Sequence, residues 1–230
     1  MVSPARLAFT AIYLLLWPVV LVAIGGDWRW PAGWAFGAWF VVMSLHVILW
    51  LRRHDPALLE ERYRRPGSGG QSAHDRRLVY VLFPAFLGWF VMMPLDRRFG
   101  WTAPLARAIT VAAAVAGGAL LLGAWFFLFR AFKDNSFASP LVRIQRERGQ
   151  HVVSTGVYAV VRHPMYLGAT LMFVGAPLLT GAATALLAML ALVAILAVRI
   201  GDEEALLVKE LEGYAEYRRR VRWRLVPYLW

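Results

Sequence analysis

Apolar residues in this chain come in long unbroken runs rather than in the one-sided stripe of a soluble surface helix. Leu7 to Ile24, Trp34 to Leu51, Leu78 to Leu95 and Ile109 to Phe132 are each about 18 residues or longer, enough to cross roughly 30 Å of hydrocarbon as a helix. Two further apolar stretches, Leu167–Leu179 and Ala182–Val198, meet at Thr180-Gly181 and read as a helical hairpin. The first of these reaches across only if Pro164–Tyr166 join it. Leu7–Ile24 is long for a signal-peptide core and lacks a small-x-small cleavage site before Asp27, so it is expected to stay. Trp28, Trp30 and Trp34 cluster after it, as aromatic residues do at a membrane interface. The pattern predicts an all-α, polytopic transmembrane bundle of about six membrane helices, the last two paired.

The polar segments between the runs carry the remaining structure. Arg52–Arg77 reads as a linker, broken at Pro66–Gly70. In Lys133–Pro164, the runs Leu141–Gln145 and Gln150–Val153 flank Arg146–Gly149 and suggest a small β-hairpin. His163 precedes Pro164, which suits the first position of a helix, so His163 is the expected N-cap. A polar helix over Arg199–Arg220 and a basic-aromatic tail complete the chain. Gly117, Gly118 and Gly123 suit close helix packing in the fourth span. Two regions are expected: 1–108, whose role has no motif, and 109–230, with a binding region in 135–168 and 199–217.

Composition agrees and adds an orientation. The 230 residues are 60% hydrophobic, with no cysteine and a net charge of +11. The absence of cysteine excludes disulfides, thiolate metal sites and cysteine nucleophiles. With the N-terminus inside, 21 of the 25 lysines and arginines fall on the inner side, against Arg29, Arg97, Arg98 and Arg107 outside. Such a bias marks the cytosolic face. The positive charge is therefore read as topology and attraction to membrane lipids rather than as a nucleic-acid surface. Both termini and the Lys133–Pro164 segment are expected in the cytosol, with the tail along acidic headgroups.

Candidate chemistry gathers on that face. The start of a helix at Pro164, with its free N–H groups, favours an anion, and Arg162 adds a fixed charge. At 100° per residue, Ile200, Leu207, Leu211 and Tyr214 form one stripe. Glu204 lies on it, Glu203 at its edge, and Asp202 opposite. Inward carboxylates need partners: a ligand's ammonium or hydroxyl groups, or Arg199 or Arg162. His46, inside the second span, reads as a neutral histidine bonded to a neighbouring helix. Arg130 and Lys133 read as anchors that snorkel to the surface. No G-x-G-x-x-G after a strand, P-loop or HExxH motif is present.

Asn135-Ser136-Phe137, the run Gly149–Tyr158, Arg162-His163-Pro164-Met165-Tyr166-Leu167-Gly168, Arg199 with Glu203-Glu204, and Gly213-Tyr214-x-x-Tyr217 together resemble one family in order and spacing. It is the isoprenylcysteine carboxyl methyltransferase-like family, with its relatives the phospholipid methyltransferases. The resemblance covers about residues 130–228. It implies an integral membrane methyltransferase that binds S-adenosylmethionine, releases S-adenosylhomocysteine, and methylates a lipophilic acceptor. By position, it implies a cofactor site of Gln150, Val152, Val153, Gly156, Tyr158, Arg162, His163, Tyr166 and Glu204. Arg199 and Glu203 are the candidate catalytic residues, Arg199 to orient an acceptor carboxylate. Gln150 stands where the eukaryotic prenylcysteine enzymes usually carry histidine. The membrane steroid and sterol reductases, which use NADPH, share a related pattern. They tend to carry Asn within RHPxY and an acid soon after its Tyr, where this chain has Met165 and Ala169. A non-catalytic scaffold that retains the pocket is a third reading.

Overall fold

In the computed structural model, residues 2–103 and 111–230 are described. Ile109 and Arg107 lie outside the described residues. The helices are α1 (Pro4–Gly25), α2 (Pro31–His54), α3 (Pro56–Arg62), α4 (Ala73–Phe99), α5 (Val111–Asp134), α6 (Pro164–Thr180), α7 (Ala183–Glu210) and α8 (Tyr214–Arg220). Five of them, α1, α2, α4, α5 and α7, are long and apolar enough to cross a membrane, and α6 is a shorter apolar helix. The protein is thus an integral membrane helical bundle.

Helix boundaries follow local chemistry. Ser3 caps α1 and Ser72 caps α4 through side-chain oxygens, while Asp55 accepts from Leu58 N to start α3. The segment Arg52–Arg77 is accordingly not a plain linker: it holds the end of α2, all of α3 and the start of α4. Helices α1, α4, α5 and α6 end at Gly26, Gly100, Asn135 and Gly181, and the three glycines adopt the left-handed conformation that favours them.

The main core joins α1, α2, α4, α5, α6 and α7, with Leu21, Phe36, Trp89, Met93, Leu121, Leu192 and Ile200 fully buried. Helices α5 and α6 pack closest. A Cβ on Gly117 would stand 2.5 Å from Leu179 N, and one on Gly168 would stand 2.8 Å from Leu128 Cγ. These two glycines let the backbones approach. Gly123 makes an ordinary contact with Leu171, and Gly118 has nothing near it, so of the three glycines expected to pack, only Gly117 is required to be small. His46 accepts a hydrogen bond from Trp125 Nε1 of α5 at 3.0 Å, as its placement in the second span suggested.

Two expected elements differ. Among the described residues no β-hairpin forms in 141–153. Arg146–Arg148 is a single 3-10 turn, and Gln150 folds back so that its side-chain oxygen accepts from Gln145 N at 2.6 Å. The flanking residues bury Arg143 and Gln145 instead of alternating across a ladder. The polar helix is not separate either. Helix α7 runs on without a break from the membrane to Glu210, and Gly213, at φ +80°, then turns the chain into α8.

Candidate functional site

A cavity open to solvent lies where the ends of α5 and α7, the start of α6, the loop 135–158 and α8 meet. Its lining includes Gln150, Val152, Val153, Tyr158, Arg162, His163, Tyr166 and Glu203, eight of the eleven residues singled out from the sequence. Gly156, Arg199 and Glu204 stand behind the wall.

The segment 150–154 runs extended along the cavity. Among the described residues, no hydrogen bond within the chain takes up the backbone N–H or C=O of Val152 or Val153. Backbone groups left unpaired are held for a partner, whether water or ligand. Val152 also packs with Leu207, Leu211, Tyr214 and Tyr217, which make the apolar side of the space. Burial pushes the Tyr158, Tyr214 and Tyr217 hydroxyls well above their ordinary pKa, so they stay neutral. The Tyr217 hydroxyl donates to Tyr158 O at 2.8 Å and ties α8 to the 3-10 turn at Gly156–Ala159.

The start of α6 is built as the sequence required. His163 is its N-cap residue and Pro164 its first position. The adjacent backbone is fixed by the tail: Val161 pairs with Trp223 in a parallel bridge, and Arg162 N and His163 N donate to Trp223 O and Arg224 O, each at 2.9 Å. The tail is thus held against the body of the protein, with Tyr228 and Leu229 left exposed. It folds back onto the site, with Leu225 buried and its last carbonyl accepting from Arg224 N and Leu225 N.

The paired carboxylates divide their work. Glu204 is 2% exposed, and its oxygens accept from Arg162 Nε at 2.6 Å, His163 Nε2 at 3.2 Å and Arg224 Nε at 3.1 Å. Arg162 Nη1 also donates to Val221 O and Arg222 O, both at 2.7 Å. Arg162 and Glu204 thus form a buried clasp between α7, the start of α6 and the tail. Of the partners open for Glu204, the structure supplies Arg162. Glu203 faces the cavity with its side chain 28% exposed. It accepts from the Tyr166 hydroxyl at 2.8 Å and has His163 Nδ1 at 4.0 Å. Asp202 points away and meets His74 at 2.9 Å.

Arg199 lies behind the cavity wall. Its Nε donates to Asp75 Oδ1 at 2.8 Å and its Nη2 to Pro140 O, and its guanidinium stands 5.9 Å from the Tyr166 ring. Gly156, at φ +60°, sits against the Asp134 carboxylate, where a Cβ would collide. Asp134 accepts from Val157 N at 3.0 Å and from Arg130, so Arg130 braces this turn.

Sequence reasoning passed over two acidic residues that hold the wall. Asp75 accepts from Arg199 and from Val142 N at 3.0 Å. Glu61 grips Arg143 Nη2 at 2.8 Å and Ser139 Oγ at 2.9 Å. Burial alone would raise the Glu61 carboxyl, but the Arg143 and Ser139 bonds and the nearby cations hold it below its usual range. One signal was available: Ser72-x-x-Asp75 is a capping-box spacing, which starts a helix at Ala73 and turns Asp75 toward the bundle.

Residues 111–212 match the family model described as phospholipid methyltransferase. The match runs from α5 through the loop and α6 to the end of α7, so it contains most of the cavity's lining but not Tyr214 and Tyr217 of α8, nor the tail. No curated protein matches the chain.

Proposed function

We propose, from the match of residues 111–212 to the phospholipid methyltransferase family model, that the protein is a membrane methyltransferase that takes S-adenosylmethionine in this cavity and methylates a lipophilic acceptor at the cytosolic face. The observation that carries the reading is the donor set. One partly exposed carboxylate, Glu203, an extended backbone with free amide groups, and a wall of tyrosines and leucines share one space. Glu203 fits an ammonium group. The Val152–Val153 backbone and Gln150 fit the polar edge of a heteroaromatic ring, and Tyr214 and Leu207 fit its face. S-adenosylmethionine, when bound, supplies an already activated methyl group.

The chain's own residues then have little acid–base work and mainly position groups and exclude water. Tyr166, neutral and bonded to Glu203, fixes that carboxylate's direction. His163 sits within reach of both glutamates and holds the first turn of α6 in place. The excess of arginine at this end of the bundle supports a cytosolic cavity.

Binding of radiolabelled S-adenosylmethionine to the purified protein, with NADPH as the comparison, tests the reading. Glu203→Gln is expected to weaken binding about ten- to hundredfold, the loss of one charge-assisted hydrogen bond of about 1.5–3 kcal/mol, without changing thermal stability. Binding of NADPH in place of S-adenosylmethionine would reject it.

A further inference from the structure

The stretch 224–230 is a closed loop, not a loose end. Arg224 N and Leu225 N both donate to Trp230 O at 3.0 Å, and Leu229 N and Trp230 N both donate to Val226 O at 3.1 Å. Leu225 is buried, while Tyr228 and Leu229 at the tip are 90% and 79% exposed. Tyr228 is the one non-glycine residue with a positive φ, +67°, among the described residues. Left-handed backbone is unfavourable for a bulky side chain, so the loop's bonds, and not local preference, present this ring outward. The Trp223 ring stands 5.3 Å from it.

The loop's level in the bundle is fixed as well. Trp223 and Arg224 pair through their backbones with residues 161–163, directly ahead of α6, and Leu225 joins the main core that holds Leu167 and Ile200. The tip therefore stands where α6 enters the membrane. The same segment is strongly basic: Arg218, Arg219, Arg220 and Arg222 are all exposed. Arg219 meets Glu216 at 2.8 Å, and the other three have no acidic partner among the described residues. Exposed aromatic and apolar side chains at a membrane boundary, beside unpaired cations, are complementary to an acidic lipid surface. Flexible arginines around a two-residue tip offer charge without a fixed shape, which suits fluid headgroups better than a folded partner.

We propose that the loop 224–230 and the arginines of 218–222 dock on an anionic lipid surface, and that this contact steadies the donor cavity. Two links join the docked segment to the cavity. Arg224 Nε donates to Glu204, which also holds Arg162 and His163, and α8 supplies Tyr214 and Tyr217 to the lining. A docked tail offers its tip ready-made, whereas a loosened one must be ordered on binding. Anionic lipid thus binds the docked state better and shifts the population toward it. The effect on the methyl donor rests on the methyltransferase reading; the lipid contact does not.

The chain has no cysteine, so Leu229→Cys gives a single attachment point for an environment-sensitive dye. The full-length protein is placed in nanodiscs of phosphatidylcholine alone or of phosphatidylcholine mixed with phosphatidylglycerol. Dye emission should shift to the blue in the anionic discs, and high salt should remove most of that shift. Hydrogen exchange over 161–166 should slow in the anionic discs, and S-adenosylmethionine should bind the unlabelled protein about fivefold more tightly there. Changing Arg218, Arg219, Arg220 and Arg222 together to Gln should abolish all three differences. The melting temperature of that variant in neutral discs, expected to match the wild type, reports that it is folded. The same emission in both kinds of disc, a shift that survives the four changes, or equal exchange over 161–166 would overturn the proposal. So would equal S-adenosylmethionine affinity in the two discs. If dye and exchange respond to anionic lipid but no S-adenosylmethionine binds in either disc, the methyltransferase reading fails and the docking surface stands.

Discussion

Glu203 and Glu204 are neighbours in sequence, yet replacing each should fail in a different way. Glu204→Ala removes the one carboxylate facing Arg162, whose side chain is 5% exposed. Nothing else acidic reaches that guanidinium among the described residues. Breaking a buried pair from one side costs about 3–5 kcal/mol, because the surviving charge is left uncompensated. The carbonyls of Val221 and Arg222 still accept from Arg162, which places the expected loss at the lower end, about 3 kcal/mol. For a chain of this length each kcal/mol shifts the midpoint by about 2–4 °C, so the melting temperature should fall by roughly 6–12 °C. The tail should loosen with it, since Arg224 loses its anchor on Glu204. Hydrogen exchange over 221–225 should rise before that of α5 or α6. Glu203→Gln removes the charge facing the cavity but keeps an acceptor for the Tyr166 hydroxyl, and should leave the melting temperature within about 2 °C. Circular dichroism melts and exchange mapped by mass spectrometry read both effects. A Glu204→Ala protein with wild-type melting and a protected tail would refute the clasp.

Helix approach and acid sensitivity give two further predictions. Gly168→Val should destabilise by about 1–3 kcal/mol through overpacking against Leu128, whereas Gly118→Ala should be neutral or gain up to about 1 kcal/mol from helix propensity; thermal melts of the two variants separate contact from composition. Glu61 has its carboxyl held below the ordinary 4.5 in the folded protein, so its contribution is complete above that value and is lost as pH falls through the lowered one. Protease resistance of the 139–143 wall should therefore be flat from pH 8 to about pH 5 and fall below about pH 4, and Glu61→Gln should remove the acid step while lowering stability throughout.

Much of this protein follows from sequence alone because membrane helices are specified locally. Hydrocarbon requires each span to satisfy its own backbone, so an apolar run fixes both the element and its length. The cap at His163-Pro164 is equally local, and the resemblance carried by Tyr158, His163, Tyr166 and Glu203 pointed to residues that line the cavity. What the sequence left open was pairing at a distance. A helical wheel shows that Glu204 turns inward but not which arginine meets it. The 3-10 turn at Arg146–Arg148 formed where strands seemed plausible, because two strands alone bury too little while Arg143 and Gln145 gain buried partners on α3 and the loop. The roles of Asp75, Glu61 and the tail likewise depend on which elements fold back onto the cavity. Such contacts join residues tens of positions apart, 42 for Arg162 and Glu204 and 124 for Asp75 and Arg199, and only packing of the whole bundle decides which charges share a buried space.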